Sequence, residues 1–455
     1  MKNCTRIITA LALIATLCSC SLFKSTQKTD EKVKEEIGNS TVITQYTTPS
    51  TIATNVRYEV NLDTLVGNNY TFELPESMNA DIDSLLNSWQ ARNMLHTLDC
   101  EGLESEAVQI TDTMYAKRLA ALPTIVRMPY NNMVRSCIDR YTKKGRSQVS
   151  YLLGISEYYF PIIEEEIDRI GVPRELKYLP IIESALNPKA TSRAGAKGLW
   201  QFMFGTGKLY GLKANNYIDE RFDPAKATTA ALLYLKDLYD MFQSWELAIA
   251  AYNCGPGNVK KAIIRSGGST DFWKIFPWLP RETRGYLPGF IAASYIMTYY
   301  EDHGICPMEP ELPIATDTIH VNKNLHFNQI VEVCGADIQE LRALNPQFLK
   351  DIIPGENETY VLRLTNNTTT KFVEKEDTIY KHNVDKYFPK TDIEKMLKEA
   401  KENTGAGNLI RHKIKEGETL GSIALKYRVS VKQIMKWNDM RNSNIRAGKY
   451  LKIYK

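Results

Sequence analysis

At 455 residues, against roughly 100 to 200 for an ordinary domain, the chain predicts about three folding units. Hydrophobic residues at 43% and charged residues at 24% supply enough apolar side chain for buried cores, which excludes wholesale disorder and a polytopic membrane protein. The 57 basic and 53 acidic residues leave a formal +4, too weak a field over this length to indicate nucleic acid as the partner.

Lys2 and Arg6 precede the apolar run Ile7 to Leu17, which closes on Leu17-Cys18-Ser19-Cys20. A charged start, an apolar centre and a small-residue end predict a secretory signal over 1–19. Its apolar run rises only about 17 Å as helix, short of a ~30 Å hydrocarbon core, so it is a poor permanent anchor. Leu17, Ser19 and Cys20 resemble a bacterial lipobox; Cys18 fits less well because bulky Leu17 would precede the cut. That resemblance implies acylation of Cys20 and a mature protein held on a lipid bilayer without spanning it, each buried methylene contributing ~0.8 kcal/mol. Because no aspartate follows Cys20, it also implies delivery to the outer membrane, facing the periplasm. Residues 20–74, rich in Ser, Thr, Lys and Asn, read as a flexible tether. Beyond Cys20 stand Cys100, Cys137, Cys254, Cys306 and Cys334, an odd set that cannot all pair within the chain. They form no CxxC framework, so neither a disulfide scaffold nor a metal site is expected.

From Asp81 the apolar residues fall at helical spacing, as in Ile82, Leu85, Leu86 and Trp89, and the pattern predicts a helical region over 75–146. Gly171-Val172-Pro173 breaks a long helix, and a shorter one runs from Pro173 toward Leu186. On that helix Glu183 lies beside Leu179 at i−4 and Leu186 at i+3, so its carboxyl group projects from an apolar stripe. Desolvation raises the pKa of such a group and lets it hold a proton near neutrality. An isolated glutamate at a helix end more often extends its stem to water, so the residues that follow decide. They are Gly195-Ala196, Gly198-Leu199-Trp200-Gln201, and later Ala251-Tyr252-Asn253-Cys254-Gly255 and Tyr286.

In this order, Glu183-Ser184, Gly-Leu-Trp-Gln, Ala-Tyr-Asn-Cys-Gly and a late tyrosine resemble the soluble lytic transglycosylase catalytic family and, within it, a membrane-bound branch. Trp200 stands where the family has methionine, and Phe204 where it often has proline. The resemblance implies a predominantly α, lysozyme-like catalytic domain, placed at 147–309. It also implies Glu183 as catalytic residue and Ser184, Trp200, Gln201, Tyr252, Asn253 and Tyr286 as the substrate-binding set, with no metal and no cofactor. Gln201 and Asn253 offer amide donors and acceptors, while Trp200, Tyr252 and Phe222 offer flat faces to sugars; core packing is an equal reading for Trp200 and Phe222. Asp223-Pro224 reads as a helix cap, and Cys254, with no histidine nearby in sequence, as a small packed residue.

Ordinary glycosidases use two carboxylates, yet the sequence offers one convincing acid. Glu164, Glu165, Glu166 and Asp168 form a charge run, and Glu175 sits about 12 Å before Glu183 along a helix. A lone acid protonates the glycosidic oxygen and then takes a proton from a nucleophile within the sugar. By resemblance, the bond is the β-1,4 link between N-acetylmuramic acid and N-acetylglucosamine, cut with formation of 1,6-anhydromuramoyl ends. The alternatives are a hydrolytic muramidase and a non-catalytic peptidoglycan-binding envelope lipoprotein.

Beyond about Pro310 two units repeat at an offset of 93 residues: Ile330, Leu341, Leu344 and Asn345 answer to Ile423, Ile434, Trp437 and Asn438. The second, 409–455, closely resembles a LysM domain, a small βααβ unit that binds N-acetylglucosamine-containing glycans. Gly417, Thr419, Leu420, Asn442 and Ile445 are its implied glycan-binding residues, and peptidoglycan strands the implied partner. The first, 318–364, lacks Gly-Glu-Thr and carries extra residues around Phe348 to Glu358, which predicts a degenerate copy that packs. The polar stretch 365–408 reads as a linker.

Overall fold

A computed structural model describes residues 71–97, 110–310, 316–389 and 409–454, apart from Asn357, Arg428, Asp439 and Arg441. The signal at 1–19, Cys20, the tether up to residue 70 and linker residues 390–408 lie outside the described residues. Among the described residues no helix is long and apolar enough to cross a membrane.

The region predicted as two parts, 75–146 and 147–309, shares one apolar core running from Met78 to Ile305. Strand Leu95–Thr97 pairs antiparallel with Met308–Pro310, joining the two ends of that stretch. The last tether residues also pack here: Glu73 N–H donates to the Arg281 carbonyl at 3.2 Å, and Phe72 and Leu74 lie against the core. A Cβ at Gly285 would fall 1.9 Å from the Glu73 carbonyl oxygen, so only glycine lets helix Arg281–Tyr299 pass under that segment.

Helix Arg146–Ile170 ends at Gly171, whose φ of 75° forms a left-handed cap. Asp223 caps helix Pro224–Phe242 through the amides of Ala225 and Lys226, as its Asp-Pro sequence predicts. Ser244 caps Trp245–Cys254 in the same manner. Cys137, Cys254 and Cys334 are free and Cys306 is disulfide-bonded.

Both carboxy-terminal units are βααβ. In the first, strand Thr316–Val321 pairs antiparallel with Tyr360–Thr365 around helices Phe327–Cys334 and Ile338–Leu344. In the second, Leu409–Lys413 pairs with Tyr450–Tyr454 around Leu420–Tyr427 and Val431–Trp437. The repeated asparagines do the same work in each. Asn345 donates to the Arg363 carbonyl at 2.7 Å and accepts from the Arg363 amide at 2.8 Å. Asn438 makes the same two bonds to Lys452, both at 2.7 Å. A single side chain thereby closes helix onto strand at a position the ladder leaves unpaired.

The boundaries of the first unit need correction. Residues 365–388, expected as linker, form helix Asn366–Lys381 and a short turn of helix, with Phe372, Ile379 and Phe388 buried in the unit's own core. The polar composition concealed a helix with one narrow apolar face.

Asn345 is buried, so its removal strands two backbone groups. Asn345→Ala is expected to speed hydrogen exchange at the Arg363 amide at least tenfold, read by NMR or mass spectrometry, with little change at Lys452.

Candidate active site

The segment Pro173 to Leu186 is less regular than predicted. It is a 3-10 turn, Arg174–Tyr178, followed by helix Leu179–Ser184 with Pro180 in its first turn. Ala185 and Leu186 then turn left-handed, at φ 51° and 58°. Leu186 therefore does not occupy the i+3 position beside Glu183, although it remains fully buried. Of the predicted stripe Leu179 remains, fully buried one turn before Glu183; Ile181 and Ile182 are also buried but lie on other faces of the helix.

Glu183 is half-buried. Burial raises its pKa to about 7, against a smaller opposing effect of the Tyr286 hydroxyl, which donates to Glu183 Oε1. Tyr286 itself is held well above its ordinary value, first by burial and then by the charge of Glu183, so it stays a donor. Tyr252 also feels Glu183, after its own burial, and donates to the Trp200 carbonyl at 2.8 Å. Among the described residues no second carboxylate contributes to the Glu183 shift.

Of the other acids weighed in the sequence, Glu165 is exposed, and Glu164, Glu166, Asp168 and Glu175 are engaged elsewhere. Glu175 is buried and accepts from the Val126 amide at 2.6 Å. Glu164 pairs with Lys177, Glu166 with Arg169 and Asp168 with Arg174.

Around Glu183 the expected residues divide into those that face open space and those that hold the backbone. Ser184 is buried and its hydroxyl meets the carbonyls of Pro180, at 3.1 Å, and Leu199, at 2.9 Å. It ties the helix to the Gly-Leu-Trp-Gln loop and has no free face for a ligand. Trp200 requires the clearer correction. Its indole is fully buried and donates to Thr228 Oγ1 at 2.9 Å, so it is a pillar of the core and no sugar platform. Gln201 adopts φ 46° and donates to the Gly198 carbonyl at 2.8 Å, remaining half-exposed. Asn253 is exposed, and its side-chain oxygen accepts from Thr283 Oγ1 at 2.8 Å, a partner nothing in the sequence pointed to. Phe222 is half-buried beneath the Lys197 ammonium at 5.0 Å, and Cys254 is half-buried. Phe204, in the family's proline position, is solvent-exposed.

A Cβ at Gly198 would fall 1.8 Å from the Arg221 carbonyl oxygen, at a φ of 82°. The loop carrying Leu199 to Gln201 can approach Arg221 only through that glycine.

In the second βααβ unit, Gly417 has φ 79°, and Thr419 Oγ1 accepts from the Ser422 amide at 3.1 Å while the residue stays exposed. Asn442 is exposed and Ile445 partly buried. Leu420, expected at the glycan, is instead 2% exposed within the unit's core; it opens a helix whose apolar face it begins.

Three family models match the chain: Transglycosylase SLT domain at residues 160–276, "Lytic transglycosylase MltD, LysM-like domain" at 315–381, and LysM domain at 412–453. The membrane-bound lytic murein transglycosylase D of Escherichia coli strain K12 is 30% identical over 333 residues, 72% of this chain and 70% of that one. The chain belongs to that family. The soluble lytic murein transglycosylase of the same strain is 33% identical over 124 residues, covering 26% of this chain and 19% of that one. The crystal structure of the 70 kDa soluble lytic transglycosylase of Escherichia coli, at 23% identity, covers 38% of this chain and 31% of its own with a TM-score of 0.29, too distant to support an argument from superposition. The chain is thus a peptidoglycan lytic transglycosylase with LysM-type modules.

Because Glu183 is raised in the folded state, the unfolded chain ionises it first, and its burial costs stability as pH rises from about 4.5 through about 7. Glu183→Gln keeps an oxygen to accept from Tyr286. Its melting temperature is expected to exceed the parent's at pH 8 and to match it near pH 4, by calorimetry. Tyr286→Phe removes the donor that favours the charged form, and should move the Glu183 titration upward.

Proposed function

We propose that Glu183 cleaves the β-1,4 bond between N-acetylmuramic acid and N-acetylglucosamine without water. Protonated, it gives its hydrogen to the glycosidic oxygen, and the N-acetylglucosamine leaves as the 4-hydroxyl. The C6 hydroxyl of the muramoyl residue bonds to C1 while the carboxylate takes its proton. The product is a 1,6-anhydromuramoyl end and the acid is regenerated. The observation that carries this reading is one half-buried carboxyl group, poised near neutrality, with Glu164, Glu166, Asp168 and Glu175 tied to other partners and Glu165 exposed to solvent. A hydrolase would need a second base to orient water.

Tyr286 fixes the carboxyl orientation, and Gln201, Tyr252 and Asn253 border the sugar, with Ser184 acting through the backbone. The second LysM unit grips glycan through the loop Gly417 to Thr419 and the stretch Asn442 to Ile445. The protein works in the cell envelope, lipid-anchored at Cys20 after removal of residues 1–19 and facing peptidoglycan from the outer membrane.

Mass spectrometry of fragments released from purified peptidoglycan tests the chemistry. Anhydro ends are expected; reducing ends carrying solvent oxygen would establish a muramidase, and a bound chain that releases nothing would establish a non-catalytic tether. Glu183→Gln, folded and wall-bound, is expected to lose activity at least a thousandfold. With the acid form required, kcat/KM should fall as pH rises through about 7.

A further inference from the structure

The loop Lys213 to Phe222 belongs by sequence to the catalytic domain, yet its tip is built into the first βααβ unit. Tyr217 and Ile218 are buried in that unit's apolar core, with Phe327, Phe348 and Tyr360. The backbone makes a short rung between the two: Asp219 N–H donates to the Gln347 carbonyl at 2.9 Å, Leu349 N–H donates to the Tyr217 carbonyl at 2.7 Å, and Ile218 bridges Phe348. Gln90 and Lys213 reach the same unit, at the Ala343 carbonyl and Glu358. Phe348, Leu349 and Glu358 among these contacts belong to the stretch by which this copy exceeds its repeat.

From the tip the connection continues inward. Asp219 and Arg221 form a buried bidentate pair at 2.9 and 2.7 Å, with Lys197 at 3.2 Å from Asp219. Burial alone would push Asp219 up; Arg221 and Lys197 reverse the sign and hold it below its ordinary value. The guanidinium is also aimed at two carbonyls, Gly195 at 3.2 Å and Phe202 at 3.3 Å. Those residues bracket the loop whose Leu199 carbonyl holds Ser184 and whose Trp200 carbonyl holds Tyr252. A guanidinium suits this use because its donors are fixed in one plane and it cannot lose its charge.

We infer that the first βααβ unit is an internal clamp, and that Asp219 and Arg221 are positioning residues through which its docking fixes the active-site loop against Glu183. The loop has no core of its own beneath Tyr217 and Ile218. If the unit loosens, the tip is freed, Arg221 loses its anchor, and the Gly195 to Phe202 loop admits more water to a carboxyl group whose partial burial holds it near neutrality. The inference rests on the role given to Glu183 above.

Two full-length variants test it. Arg221→Gln removes the fork at the centre of the relay. Leu349→Pro acts from the far side, deleting one docking donor at a first helical position where proline is tolerated and extended Phe348 suits a following proline. On a soluble glycan, kcat is expected to fall at least tenfold for Arg221→Gln and at least threefold for Leu349→Pro, each with KM within twofold of the parent. The alkaline limb of the pH profile, set by Glu183 with Tyr286 and Tyr252 facing it, should move at least half a unit lower in both, because a wetter site favours the carboxylate. Binding to intact peptidoglycan should be unchanged. Parent-like kcat and an unmoved limb in a folded Leu349→Pro variant would overturn the inference, as would losses that merely follow melting temperature. Should Arg221→Gln fail to fold, Leu349→Pro decides alone. An inactive parent chain would instead overturn the role of Glu183 and leave the docking unconnected to chemistry.

Discussion

The rest of the structure depends on keeping one carboxyl group dry while leaving it reachable by a ligand. Burial raises Glu183 toward neutrality, and the only side chain that bonds it among the described residues, Tyr286, pulls the other way by donating to the charged form. The two effects suit a group that must hold a proton and later accept one. Full desolvation alone would make the acid too reluctant to ionise during the reaction, whereas several donors would leave it charged and useless as an acid. One tyrosine, itself buried and therefore firmly protonated, gives an intermediate setting.

Holding that setting requires backbone that the regular elements do not supply. Ala185, Leu186 and Gln201 are all non-glycine residues with positive φ, and they lie on the two segments that meet at the acid. Such conformations cost of order 1 kcal/mol each and persist only where surrounding bonds over-determine them. Here the bonds are identifiable. Ser77 reaches the Ile182 carbonyl at 2.5 Å, Ser184 the Leu199 carbonyl, Tyr252 the Trp200 carbonyl and Arg221 those of Gly195 and Phe202. Polar side chains near the acid spend much of their hydrogen-bonding capacity on main-chain oxygen, and so position the loop.

What the sequence revealed follows from the range of the forces involved. Glu183 one turn after buried Leu179, the Asp223 cap and the repeated Asn345 and Asn438 could be read because their partners lie within a turn or recur at a fixed offset. The burial of Trp200 could not, since it depends on Thr228 from another helix, and Thr283 beside Asn253 comes from a third. Tyr217 and Ile218 read locally as loop residues near a charged run, Asp219-Glu220-Arg221, and nothing nearby tells that their core belongs to a unit more than a hundred residues later. The helix at 366–381 is hidden in the sequence for a related reason: Phe372 and Ile379, two apolar anchors in a polar stretch, suffice when a preformed surface receives them.

The two βααβ units show how one framework can carry two different edges. Phe327 and Leu420, 93 residues apart, both open a helix from within the core, and the residues just before them cap it: His326 receives the Asn328 amide, Thr419 that of Ser422. In the second unit the preceding stretch is a turn at Glu416–Gly417 followed by irregular Glu418 and Thr419. In the first, the corresponding Asn324–His326 is a strand paired with Ile352–Pro354, a segment supplied by the extra residues. That backbone edge is thereby occupied by the unit's own chain, and the adjoining Gln347 and Leu349 bond Asp219 and Tyr217 of the catalytic domain. The same insertion covers one edge of the unit and supplies Phe348 and Leu349 to the contact with Tyr217 and Ile218.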